Sequence, residues 1–309
     1  MGDILVEGSS YINPEESSLQ QGTQRELLLF TVSMIGISLC ALALYSIGKT
    51  KSMQYSFGSI VASQMTADIL KLSITTAFCV IPADIAPPED ATISKIIGAC
   101  CETLYFFACD LHTLFAIHRF ILVVFPSGKG LWSRLTPFAI LFCFCTGSFK
   151  AFYLMALDPN LYLRYDRRLM QWMFTATPWT RFYKYSKICW SSVENTLIFI
   201  LDLISFRKLR AMLKVASTDQ QTFAPEYSNA DTKLVVQSLC QCVPTTLVII
   251  FYFYIYPAMT DEFLMFATST LMWNLATMCD GLVVVIFHTR MNIFRVRGDV
   301  ESIGQLETS

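Results

Sequence analysis

Charge is what this sequence has least of. Only 15% of its 309 residues are Asp, Glu, Lys or Arg, while 54% are hydrophobic; ordinary soluble domains carry about a quarter charged residues. The formal net charge of -1 leaves no basic stripe for a nucleic acid. Catalytic signatures are missing as well: there is no Gly-x-Ser-x-Gly, no His-Glu-x-x-His and no phosphate-cradling glycine loop. No Cys-x-x-Cys pair occurs, and His112, His118 and His288 are not spaced as a zinc set. No metal site, cofactor or enzyme activity is expected. Asn-x-Ser/Thr acceptors are absent, and the first 26 residues hold charge without an apolar core, so no cleavable signal peptide is expected. Most of the 11 cysteines lie inside apolar runs, where they behave as small hydrophobes.

What the sequence does have is long apolar runs. About 20 apolar residues at a rise of about 1.5 Å each cross a hydrocarbon core of about 30 Å. Runs of that kind fall at Leu27–Ile47, Phe57–Ile81, Ile96–Val123, Thr136–Leu157, Ile188–Phe206, Leu234–Tyr256 and Phe263–Phe287. They predict an all-α membrane protein, a bundle of seven transmembrane helices. Residues 1–26 form an expected extracellular tail, 27–289 the membrane domain and 290–309 a cytoplasmic tail.

The distribution of Lys and Arg predicts an external N-terminus. Thirteen basic residues then fall in or beside inner segments, including Lys49, Lys51, Arg119, Arg207, Lys208 and Arg210, against eight outside. Six of those eight (Arg164, Arg167, Arg168, Arg181, Lys184 and Lys187) crowd one outer connection, which weighs against this orientation. After the seventh run, Met291, Ile293, Phe294 and Val296 alternate with Arg290, Arg295 and Arg297, as in an amphipathic helix on the inner leaflet or a basic tail.

Five ionisable groups lie deep in the runs: Asp68 and Lys71 in the second, Asp110 in the third, Lys150 in the fourth and Asp280 in the seventh. Each costs about 3 kcal/mol at the centre of a membrane, so all five should face the bundle interior. Depth counting places Asp110 and Lys150 at similar levels, about 18 and 21 Å from the inner ends, where they can pair. All five are read as an intramembrane switch; if Asp68 and Asp280 share a watery cavity, their repulsion would keep one protonated or attract a cation or Lys71. An ion or small-molecule transporter using these groups as a relay is the alternative reading; polar glue between helices is the bland one. In the third run, Cys101, Tyr105, His112 and Arg119 share one helix face. With Glu102 beside them, Tyr105 and His112 are expected to bind ligand in the outer half, joined by Glu194. Cys101, or Cys100 as its alternative, is expected to form a disulfide with Cys189 in the oxidising outer compartment.

The sequence Ile117-His118-Arg119-Phe120 with Pro126 resembles the Asp-Arg-Tyr region of rhodopsin-like receptors, and Asp68 resembles their second-helix aspartate. It departs from them in His118 where an acid is usual, in having no Asn in the first run, and in lacking Asn-Pro-x-x-Tyr in the seventh. The seventh run also has no lysine for a retinal Schiff base. A nearer resemblance is to the nematode serpentine chemoreceptors of class x. It is carried by His118-Arg119-Phe120 and Pro126, Trp172-Met173-Phe174 and Thr177 ahead of Cys189 and Asp202, Gln237 and Gln241, and Trp273 before Asp280-Gly281. The resemblance implies a seven-helix chemosensory receptor, a small-molecule ligand, a heterotrimeric G protein as partner, and a plasma membrane, ciliary in sensory neurons. His118 and Arg119, with Arg207, Lys208 and Arg210, would border the G-protein cleft. Because His118 replaces the acid, Arg119 is expected to lack a fixed negative neighbour, and its resting lock to be weak.

Overall fold

The computed structural model describes residues 14–49, 56–81, 85, 88, 91–125, 129–218 and 225–287. Seven helices are present among them: α1 (Pro14–Lys49), α2 (Ser56–Val80), α3 (Thr92–Val124), α4 (Lys129–Leu157), α5 (Thr180–Thr218), α6 (Pro225–Ile250) and α7 (Glu262–Phe287). All but α2 are both long and apolar enough to cross a membrane. α2 is long enough at 25 residues, but Gln64, Asp68 and Lys71 dilute its apolar character. It spends them inward: Gln64 and Asp68 are each 1% exposed. The expected tail segment at Arg290, Arg295 and Arg297 lies outside the described residues, as does Lys51.

α3 is the axis of the bundle. It touches α2, α4, α5 and α6, and residues are buried along it from Ser94 to Arg119. Two glycines permit the close approaches around it. A Cβ on Gly98 would stand 1.9 Å from the Leu163 carbonyl oxygen, and one on Gly147 of α4 would stand 2.8 Å from the Phe107 nitrogen. Large apolar side chains such as Phe138, Phe142 and Phe149 on α4, and Val193, Phe199 and Ile200 on α5, remain exposed on the outside of the bundle. That belt is the surface a lipid bilayer covers.

Two short strands add to the all-helical reading. β1 (Leu163–Asp166) pairs antiparallel with β2 (Gln171–Phe174), Leu163 opposite Phe174 and Asp166 opposite Gln171. The turn is held by Asp166, whose Oδ1 accepts the Leu169 amide at 3.0 Å, and it uses a positive φ of 53° at Met170. The hairpin lies over one end of the bundle. Leu163, Tyr165 and Trp172 pack on Cys101 of α3, and Met170 packs on Leu29, Phe266 and Leu271.

The hairpin also accounts for much of the crowded basic connection. Arg168 bonds Glu262 at 3.1 Å, the same carboxylate that receives Arg25 of α1 at 3.2 Å, and Arg167 donates to the Ile81 carbonyl at 2.9 Å. Lys95 lies 4.6 Å from the centre of the Tyr162 ring. α5 begins at Thr180 rather than at Ile188, so Lys187 belongs to the helix and not to the loop where it was expected.

α6 and α7 are not regular throughout. α6 contains Pro244 and runs into a π turn at Phe251–Ile255; α7 carries its own π turn at Ala267–Leu271, and the two turns are in contact. Extra residues of this kind locally widen a helix and concentrate at functional sites.

Candidate functional site

Beneath the hairpin the interior is polar at three levels, all threaded by α3. At the first, Glu102 is buried, and its Oε1 accepts hydrogen bonds from Tyr183 Oη and Lys187 Nζ, each at 2.7 Å. Below it, Tyr105 stacks on Trp273 with ring centres 4.8 Å apart and planes within 9°. Tyr252, set by the π turn of α6, leans on the same Trp273 at 5.2 Å.

The second level holds two adjoining cavities. One, of about 10 Å³ and so with room for about one water, lies between α3, α5 and α6; the other, of about 40 Å³, lies between α2, α3, α6 and α7. They share Tyr105, Cys109, His112 and Thr245. Glu194 lines the first, and Asp68, Lys71 and Asp280 line the second. His112 Nε2 lies 3.4 Å from Asp280 and 3.0 Å from Gln64 Nε2, while Lys71 reaches Asp68 at 3.5 Å. Beside the cavities Lys150 Nζ pairs with Asp110 at 2.5 Å, as depth counting predicts, and with Glu194 at 2.5 Å. Thr146 adds a hydrogen bond to Asp110 at 2.7 Å, and Trp190 Nε1 one to Glu194. Lys150 thus ties α3, α4 and α5 together.

At the third level, toward the end of the bundle away from the hairpin, Arg119 is 2% exposed. It forms an ion pair with Asp202 of α5 at 2.7 Å and donates to Ser238 of α6, whose own hydroxyl donates to Asp202 at 2.7 Å. This corrects the expectation that Arg119 has no fixed negative neighbour: the acid missing from position 118 is supplied by α5. His118 turns the other way, buried between Phe57 and Trp132, with Nε2 2.9 Å from Ser56 Oγ. Arg207, Lys208 and Arg210 are exposed farther along α5.

The expected disulfide is not formed; Cys100, Cys101 and Cys189 are all free thiols. Successive residues on a helix point about 100° apart. Cys101 therefore turns inward onto Leu163 and Trp172, while Cys100 and Cys189 are exposed. The hairpin that covers Cys101 contains no cysteine.

Sequence reasoning gives no site role to Lys187, Asp202 or Ser238, although Asp202 is among the residues that carry the family resemblance. A signal existed on α5, where Lys187, Ser191, Glu194, Asp202 and Ser205 recur at intervals of three, four and eight residues, a polar stripe on an otherwise apolar helix.

A seven-helix bundle with a polar interior running from a capped end to an arginine lock is the architecture of a G-protein-coupled receptor. Squid rhodopsin shares it: the two structures superpose with a TM-score of 0.67 over 88% of this chain and 83% of that one, at 13% sequence identity, a likeness of fold alone. The family of serpentine type 7TM GPCR chemoreceptors Srx matches residues 30–288, and the chain belongs to that family. No curated protein matches it in sequence. It is a multi-pass membrane receptor and not an enzyme.

Proposed function

We propose that this receptor binds a small ligand in the hairpin half of the bundle, through Glu102, Tyr105, His112 and Glu194, and activates a heterotrimeric G protein at the opposite end. The observation that carries the proposal is the single face of α3 on which Tyr105 and His112 line the cavities and Arg119 closes onto Asp202. A ligand that prefers one arrangement of α3 against α5 and α6 biases the other end of the same helices. Moving such an equilibrium from 1:99 to 99:1 takes about 5.5 kcal/mol of differential binding, which a few desolvated polar contacts plus apolar burial supply. Asp68, Lys71 and Asp280 beside His112, with Lys150 between Asp110 and Glu194, make up the intramembrane part of this switch. Arg207, Lys208 and Arg210 border the cleft for the G protein, whereas His118, expected there, is buried against Phe57, Trp132 and Ser56 and does not.

A screen of small molecules in cells carrying a promiscuous G protein tests this reading. An active compound is expected to lose its signal in Arg119→Ala at equal surface expression; undiminished signalling by that variant would remove the proposed switch.

The hairpin end is assigned to the outside, with the N-terminus outside and the C-terminus inside, in a sensory plasma membrane of ciliary type. The balance of thirteen inner to eight outer basic residues supports this, and the burial of Lys187 and Arg25 removes two charges from the exposed outer count. Epitope tags at the two ends should stain intact cells only at the N-terminus. Staining at the C-terminus alone, or equally at both, would reverse or abolish the topology.

A further inference from the structure

Lys187 is an unusual lysine. Its side chain is 1% exposed, although its neighbours Lys184 and Tyr185 on the same helix are exposed. Four aromatic rings surround its ammonium: the ring centres of Tyr105, Trp273, Phe106 and Phe174 lie 4.3, 4.8, 5.5 and 5.5 Å from Nζ. All are within the roughly 6 Å over which a ring face attracts a cation. Glu102 Oε1 closes the cage at 2.7 Å. A carboxylate set among aromatic faces is how proteins recognise organic ammonium ions, since it replaces water with a fixed charge and ring quadrupoles.

Two further observations point past a plain helix-to-helix ion pair. Glu102 is 3% exposed, yet its second oxygen, Oε2, has no hydrogen-bond partner among the described residues. Beside it lies a small void, of about 10 Å³, lined by Glu102 and by apolar groups that include Ala99, Ala151 and Leu161. The carboxylate thus retains accepting capacity next to a space with an apolar wall.

We propose that the cage formed by Glu102, Tyr105, Phe106, Phe174 and Trp273 is a binding site for a small organic ammonium group, occupied at rest by the chain's own Lys187. A ligand amine takes the place of the Lys187 ammonium on Glu102, and its carbons take the place of the displaced lysine stem. The stack of Tyr105 on Trp273 is shared between this cage and the cavities below, so exchange of one cation for another is felt at the head of the α3 face that ends at Arg119. The inference rests on Glu102 being a ligand residue and is independent of coupling to a G protein.

Lys187→Ala removes from the side chain the equivalent of n-propylammonium, which is therefore the probe. On the purified full chain, n-propylammonium chloride at constant ionic strength is expected to raise the Tm of Lys187→Ala saturably, by several degrees, while 1-propanol does not. Wild type should need at least about tenfold more of the amine, because a tethered ammonium competes at a high effective concentration. Lys187→Ala combined with Glu102→Gln should not respond. If Lys187→Ala yields no folded protein by itself, purification in n-propylammonium should restore a monodisperse receptor. No Tm shift, an equal shift with 1-propanol or in the double variant, or no recovery of folded protein would overturn the site. G-protein turnover is read separately: a Tm shift without any change in turnover keeps the cage and counts against the receptor mechanism, and ligand-driven turnover without the shift does the reverse.

Discussion

Asp202→Asn should signal without ligand. Arg119 and Asp202 are 2% and 0% exposed along their side chains, so their charges meet away from water. Hydrogen bonds to charged groups contribute about 1.5–3 kcal/mol each. Asn keeps the size and one acceptor of Asp but removes the charge, so the hold of α5 on the guanidinium weakens while Ser238 of α6 still accepts from it. A loss of about 1.4 kcal/mol specific to the resting arrangement multiplies the active population about tenfold. Ligand-independent G-protein turnover should therefore rise on the order of tenfold at equal surface expression, with a smaller rise for Ser238→Ala. Wild-type basal turnover in a normally expressed Asp202→Asn receptor would show that this pair does not hold the resting state.

Lys150→Met is expected to cost the receptor its fold. Lys150 is the one cation between Asp110 and Glu194, and all three side chains are at most 12% exposed. With the ammonium gone, two carboxylates face each other in a region that water reaches poorly. Breaking a buried ion pair from one side typically costs about 3–5 kcal/mol, a large part of a total stability of about 5–15 kcal/mol. Thermal unfolding and size-exclusion profiles of the detergent-solubilised protein should show a sharply lower Tm and a loss of monodisperse material. Adding Asp110→Asn and Glu194→Gln to Lys150→Met should restore most of both, since neutral partners no longer repel. An unchanged Tm for Lys150→Met alone would mean that these charges are solvated and the network is not structural.

Much of this interior was legible in the sequence because burying charge in a membrane is costly enough to dictate direction. Asp68, Asp110, Lys150 and Asp280 had to face inward, and rise per residue sufficed to bring Asp110 and Lys150 to one level. The face of α3 was equally readable, since Tyr105, His112 and Arg119 repeat at seven-residue intervals. What escaped was set by partners on other helices. Arg119 was judged by its neighbour His118, which sits about 100° around the helix and cannot face the same groups, whereas Asp202 arrives through the rotation of α5. Lys187 falls in a loop when the fifth apolar run is read from Ile188. A helix that emerges from the hydrocarbon region carries exposed charge on one side and buried charge on the other, and counting charges does not separate the two. The disulfide failed for the same reason: order along the chain places Cys101 and Cys189 at the same end of the bundle but says nothing about which way each thiol turns.

The paired π turns of α6 and α7 decide which faces these helices present on either side of them. Each inserts a residue into the helical repeat, so side chains before and after it are out of phase with one another. In α7, Phe263 and Phe266 precede the Ala267–Leu271 turn, whereas Trp273, Thr277 and Asp280 follow it. The two segments are therefore aimed independently. Phe266 is thereby packed on Leu29 and Met170 beneath the hairpin, while Asp280, farther along the same helix, is presented to His112.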